Sequence, residues 1–133
     1  MDARIPSQFA PHDVRAAHSH RIRALRQAAV LREIEQRCVD PELRAASVAA
    51  QLGITARYVH LLLKETGRTF SRHVLDKRLE QALALLRDPQ WHSRKIADVA
   101  GESGFADLSY FSRTFRRKYG DTPSAVREIA RRG

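Results

Sequence analysis

Residues 96–123 read IADVAGESGFADLSYFSRTFRRKYGDTP, and the fold turns on this stretch. Within it, Val99-Ala100-x-x-x-Gly104-Phe105 places a glycine four positions after a small residue. A helix-turn-helix needs that arrangement: a small side chain where the two helices cross, a glycine in the tight turn, and bulky apolar residues that lock the pair. Phe111 and Phe115 supply the lock. The pattern occurs twice. Val48-Ala49-x-x-Leu52-Gly53-Ile54, followed by Val59 and Leu62, sits 51 positions upstream (Val48 to Val99). In the second copy the core positions fall one residue late, so its turn is expected to be one residue longer.

Working outward, Thr69 can cap a helix that runs to about Arg87, with Phe70, Val74, Leu75, Leu79, Ala82, Leu83 and Leu86 on its inner stripe. Asp88-Pro89 ends it, because the residue before proline avoids helical geometry. Upstream, a first helix is expected over Ile22–Arg37, broken at Asp40-Pro41, then a short one over Ala45–Leu52 ending at Gly53. The helices that follow the two turns are expected at about 56–66 and 107–119. Ser93 opens the helix that carries Ile96, Val99 and Ala100. Thr122-Pro123 pairs a capping residue with proline at the first helical position, starting a last helix over Ser124–Arg132. The reading is an all-α domain with about seven helices. Its two helix-turn-helix subdomains, about 20–67 and 93–132, are joined by a long connecting helix at about 69–87. Residues 20–133 form the domain. Residues 1–19 hold two of the five prolines and no sustained periodicity, and are expected to be a flexible segment or linker.

Composition narrows the function. The 133 residues carry 24 Lys+Arg against 15 Asp+Glu, a net charge of +9, which favours a polyanionic partner and nucleic acid first. No apolar run approaches the roughly 18–20 residues of a membrane span, and the N-terminus lacks the apolar core of a secretory signal. Cys38 is the one cysteine, so no internal disulfide forms. The chain has no glycine-rich phosphate loop, no metal-ligand cluster and no paired nucleophile and base, so no enzyme, cofactor or metal site is expected. A cytoplasmic, nucleoid-associated location follows.

Ala56-Arg57-Tyr58-Val59, Glu65-Thr66-Gly67 and Arg78-Leu79-x-x-Ala82, together with Ile96-x-x-Val99-Ala100-x-x-x-Gly104-Phe105-x-x-x-Ser109-Tyr110-Phe111-x-x-x-Phe115-x-x-x-x-Gly120-x-x-Pro123, resemble the DNA-binding region of AraC/XylS-type regulators over about residues 22–130. The resemblance implies a bacterial transcription regulator, often an activator. Its two helix-turn-helix units would share one rigid connecting helix and read adjacent major-groove faces of double-stranded DNA. A connecting helix of about 18 residues spans near 27 Å, in the range needed to offset two recognition helices by about one DNA turn, ~34 Å. A monomer suffices for that, and a monomer is expected.

The resemblance places base readout at Arg57, His60 and Leu61 in the first unit and at Ser109, Tyr110 and Arg113 in the second. Arg113 is the strongest candidate, since arginine grips a guanine edge with two hydrogen bonds. Relatives often carry arginine at the position of Leu61. Leucine offers only an apolar contact to a thymine methyl, or else packs inside beside Leu62 and Leu63. Phosphate contacts are expected from Lys64, Ser93, Arg94, Lys95, Arg116 and Arg117, with Lys118 extending the charge.

Other residues take structural roles in this reading. Cys38 is a buried apolar residue, Trp91 pins the connector, Tyr58 packs behind the first recognition helix, and Arg78 is held by a carboxylate, with Asp98 the candidate. Arg44 stands where relatives place a capping serine or threonine. His18 and His20 are not read as metal ligands. The competing reading is a helical adaptor that binds an RNA-polymerase subunit or another regulator; RNA polymerase is also a candidate second partner for a DNA-binding regulator. About twenty residues precede the first expected helix, too few for a small-molecule sensor, so the chain acts alone or is the DNA-binding end of something longer.

Overall fold

The computed structural model describes residues 11–133. Seven α-helices follow one another: α1 Pro11–Arg37, α2 Ala45–Leu52, α3 Ala56–Lys64, α4 Phe70–Arg87, α5 Ile96–Glu102, α6 Leu108–Tyr119 and α7 Pro123–Arg132. A 3-10 turn at Pro89–Trp91 links α4 to α5. The described residues contain no strand.

Side-chain caps start most of these helices. The hydroxyls of Thr55, Thr69 and Thr122 accept from the N–H groups of Tyr58, Arg72 and Ala125 at 3.0, 3.1 and 3.1 Å, and the Asp107 carboxylate accepts from Tyr110 N–H at 3.0 Å. Arg44 gives α2 no such bond. That helix is held instead by burying Val48 and Ala49.

Three boundaries depart from expectation. Helix α1 begins at Pro11, eleven residues ahead of Ile22. Residues 11–19, expected to be irregular, are therefore helical; residues 1–10 lie outside the described residues. Proline suits a first turn, where its missing N–H has no intrahelical partner. Side chains 14–21 are all exposed, so the apolar periodicity that would have revealed this part of the helix is absent. Ser93 does not open α5. Residues 89–94 are taken up by the 3-10 turn and the following bond from Arg94 N–H to the Trp91 carbonyl (3.1 Å), and Lys95 becomes the N-cap. There the Asp98 carboxylate accepts from Lys95 N–H at 3.3 Å. Helix α3 stops at Lys64 rather than Thr66, whose hydroxyl donates to the Leu63 carbonyl at 2.6 Å.

The core has two parts that share α4. Phe70 and Val74, from its first half, pack with Val30 and Ile34 of α1, Val48 and Ala49 of α2, and Val59, Leu62 and Leu63 of α3. Leu79, Ala82, Leu85 and Leu86, from its second half, pack with Val99, Ala100, Phe105, Phe111 and Phe115. The Phe105–Phe111 and Phe111–Phe115 ring centroids are 4.9 and 5.6 Å apart and tilted, a favourable aromatic geometry. In the second unit α6 begins four residues after its turn glycine, against three for α3 in the first, which is the expected one-residue extension.

Gly104 is more than a turn residue. Its φ is +96°, and a Cβ built there would stand 2.5 Å from the Cys38 carbonyl oxygen and 2.9 Å from Val39 Cα. The second turn therefore packs directly on the chain leaving α1. Arg78 closes the same joint. Its Nε donates to the Cys38 carbonyl at 2.7 Å and its Nη2 to the Asp40 carbonyl at 2.9 Å. This corrects the expected Arg78–Asp98 pair: the Cys38 and Asp40 carbonyls of the segment leaving α1 hold the guanidinium, while Asp98 caps α5. Cys38 is buried as expected, and burial pushes its thiol pKa up, which disfavours the reactive thiolate.

Candidate nucleic-acid interface

Helix α3 buries Val59, Leu62 and Leu63 and turns Arg57, His60, Leu61 and Lys64 outward. Leu61 is 51% exposed, so it does not join its two neighbours in the core. Tyr58 is half-buried against the first core, with the Arg26 guanidinium 5.7 Å from its ring centroid. His60 stands edge-on to Phe70, the centroids 6.5 Å apart.

Helix α6 repeats the arrangement. Phe111, Thr114 and Phe115 are buried, while Ser109, Tyr110, Arg113, Arg116 and Arg117 are exposed. The Arg113 guanidinium lies 6.0 Å from the Tyr110 ring centroid, and that ring in turn leans on Phe105 at 6.3 Å. The two outer residues thus rest on a core aromatic. All six sequence-derived base-reading candidates lie on the outer faces of the two helices that follow the turns.

The expected phosphate contacts fall into two groups. Lys64, Arg116 and Arg117 flank the outer faces on α3 and α6. Ser93, Arg94 and Lys95 are exposed in the segment before α5, where Arg94 is already engaged: its guanidinium lies 4.5 Å from the centroid of Trp91 and 3.8 Å from the Asp98 carboxylate. Lys118 is also engaged, since its ammonium reaches Asp76 at 3.5 Å and Glu80 at 3.9 Å. Trp91 packs on the second core, as expected of a residue that pins the connector.

Sequence reading missed Asp76. Its carboxylate is buried on α4, and three cations converge on it: Arg68 at 2.5 Å, Arg72 at 3.4 Å and Lys118 at 3.5 Å. Arg68 follows the first recognition helix and Lys118 closes the second, so one carboxylate ties both to the connector. An isolated buried charge is costly and needs such partners. The position of Asp76 among the apolar residues of α4, one helical turn after Arg72, was the available signal, but Arg68 comes from the loop before α4 and Lys118 from α6, and no local pattern links them to it. Nearby, His73 Nε2 is 2.7 Å from the Thr66 hydroxyl, and burial, reinforced by repulsion from Arg68, lowers its pKa.

No group of three or more His, Cys, Asp or Glu among the described residues could hold a metal ion. No helix among them is long and apolar enough to cross a membrane.

Residues 48–129 match the family model described as a helix-turn-helix domain, from within α2 to the last helix. The chain belongs to this family, of the AraC/XylS type. This AraC/XylS-type chain is 37% identical over 105 residues to the transcriptional activator RhrA of Rhizobium meliloti, covering 79% of the chain and 33% of the relative. Over 113 residues it is 37% identical to the transcriptional activator NphR of a Rhodococcus species, covering 85% of the chain and 32% of the relative. It therefore spans about a third of the length of these curated relatives. Among solved structures, a DNA-binding transcriptional dual regulator from Escherichia coli K-12 superposes with a TM-score of 0.69 at 27% identity, over 77% of this chain and 95% of that one. A regulator with an AraC-type DNA-binding domain from Chromobacterium violaceum gives 0.68 at 26% identity, over 77% and 89%. The all-helical architecture is that of AraC-type DNA-binding domains, and the family's function is sequence-specific DNA binding in transcription regulation.

Proposed function

We propose that this chain places α3 and α6 in successive major grooves of double-stranded DNA and reads them unequally. The supporting observation is the contrast between Arg113 and Leu61. Both are exposed on recognition helices, yet only the arginine can form a bidentate pair with guanine. Ser109 and Tyr110 complete the second unit's reading face, and Arg57 and His60 carry what base readout the first unit has. Lys64, Arg116 and Arg117 meet phosphates, and Ser93, Arg94 and Lys95 approach the backbone before α5. The chain binds as a monomer, because the two units already form one body around α4. The activator names of its relatives favour activation, with RNA polymerase as the second partner. The location that goes with this work is the cytoplasm, on the nucleoid.

Salt dependence tests the DNA-binding reading. A chain that neutralises about 6–10 phosphates loses roughly 10³–10⁵-fold in affinity between about 50 and 200 mM salt. Titrating a labelled duplex across that range is expected to give such a slope. Absence of binding at the low-salt end would favour the adaptor instead.

A further inference from the structure

Helix α1 carries charge that the family match, which begins at residue 48, does not cover. Between Val14 and Arg32 there is no Asp or Glu, while five arginines (15, 21, 23, 26 and 32) and two histidines occur. Arg15, Ser19, Arg23, Arg26 and Val30 follow one another at intervals of 4, 4, 3 and 4, so they share one helix face. That face is apolar core at Val30 and becomes cationic toward the N-terminus.

Contacts fix this face beside the first recognition helix. The Arg26 guanidinium lies over Tyr58, Gln27 donates to the Leu62 carbonyl at 2.8 Å, and Arg23 pairs with Glu65 at 3.3 Å. Between the two helices runs a groove of about 500 Å³, lined by Arg23, Tyr58, Leu61, Leu62, Lys64 and Glu65. One wall of that groove is thus a base-reading position and the other is α1. The opposite flank of α3 is also cationic, a hollow of about 390 Å³ lined by His60, Lys64, Arg68 and Thr69 among others.

A helix with its side chains is about 10–12 Å across, and the major groove is about 12 Å wide. A recognition helix therefore fills the groove, and the two phosphate backbones run along its flanks. Packed helices lie roughly 8–10 Å apart, which puts the side chains of α1 at one rim. Arg15 stands eight residues before Arg23, about 12 Å farther along the helix. We infer that the arginine face of α1, Arg15 with Arg23 and Arg26, is a phosphate-binding arm for the DNA strand flanking α3.

This rests on the DNA-binding reading above and gives the first unit a role of its own, holding the backbone where Leu61 cannot grip a guanine. Glu65 is the one carboxylate lining that groove. It holds Arg23 in place and opposes the approach of phosphate.

The test uses the full chain and a labelled duplex carrying its selected site, titrated at several salt concentrations. Arg15→Gln combined with Arg26→Gln is expected to shallow the slope of log affinity against log salt by about two, near one per cation removed. The affinity falls roughly tenfold or more while the preferred sequence stays the same. Glu65→Gln is expected to bind several-fold tighter. Wild-type slope and affinity in both variants would overturn the arm while leaving the DNA-binding reading intact. If the unaltered chain bound no DNA, both would fall.

Discussion

Arg78 Nε lies 2.7 Å from the carbonyl oxygen of Cys38, a bond across 40 residues that joins the connecting helix to the end of α1. Gly104, in the turn of the second unit, packs against the same carbonyl. Gly104→Ala would force a Cβ to 2.5 Å from that oxygen at a φ of +96°, against backbone that cannot swing aside and with Arg78 Nε also 2.9 Å away. Gly53, the matching glycine of the first turn, has a φ of +69° and open space around it. Gly53→Ala should therefore cost only the left-handed backbone penalty, about 1–2 kcal/mol, and Gly104→Ala clearly more. Urea unfolding midpoints check the order; equal losses would mean that the second turn makes no tight contact with the first unit.

Asp76 gives a second prediction. Asp76→Asn removes the charge on which Arg68, Arg72 and Lys118 converge. Breaking a fully buried ion pair typically costs about 3–5 kcal/mol. Arg68 and Arg72 reach solvent, so a smaller loss, about 2 kcal/mol, is expected, with Lys118→Met losing less. Chemical denaturation of the two variants measures this, and an unchanged Asp76→Asn midpoint would contradict it.

His73 makes stability respond to pH. Its pKa in the fold lies below the ordinary 6.5, chiefly through burial, with Arg68 repelling the charged form and Asp76 opposing in the other direction. The unfolded chain therefore takes up the proton more readily. The neutral ring's contribution is complete above about 6.5 and is lost as pH falls through that point toward the folded value. Melting followed from about pH 7.5 downward should show that decline, and His73→Gln should flatten it. An identical decline in the variant would assign it to other groups.

Much of this could be read from residue order alone. The turn glycines, the threonine caps and the apolar stripe of α4 are local signals, and local signals put the boundaries of α2 and α4 where the structure has them. What stayed hidden depends on distance or on solvent. The exposed start of α1 shows no apolar periodicity, and the carbonyls that hold Arg78 look like any others in a sequence. The candidate reading faces were legible because α3 and α6 are strongly two-sided; the Asp76 cluster was not, because beyond Arg72 on the same helix its partners come from the loop before α4 and, with Lys118, from the second unit.

Leu61 offers a gain-of-function prediction. Its side chain is half exposed at a proposed reading position, so Leu61→Arg should add a guanine preference at the first unit, worth about 1–3 kcal/mol of discrimination. Binding to duplexes that vary only in that half of the selected site checks it. Equal affinity for all four bases would show that the position does not face the groove.

Unequal reading by two recognition helices is the central claim, and Arg113 tests it most directly. Pooled random duplexes of about 25 base pairs, long enough for two half-sites one turn apart, would be selected in parallel with the unaltered chain and with Arg113→Ala, and the bound DNA sequenced. The expected result is two informative blocks about one DNA turn, ~10 base pairs, apart, with the sharper block lost in the variant and the weaker one kept. The same two blocks in both selections, or no enrichment with the unaltered chain, would contradict it.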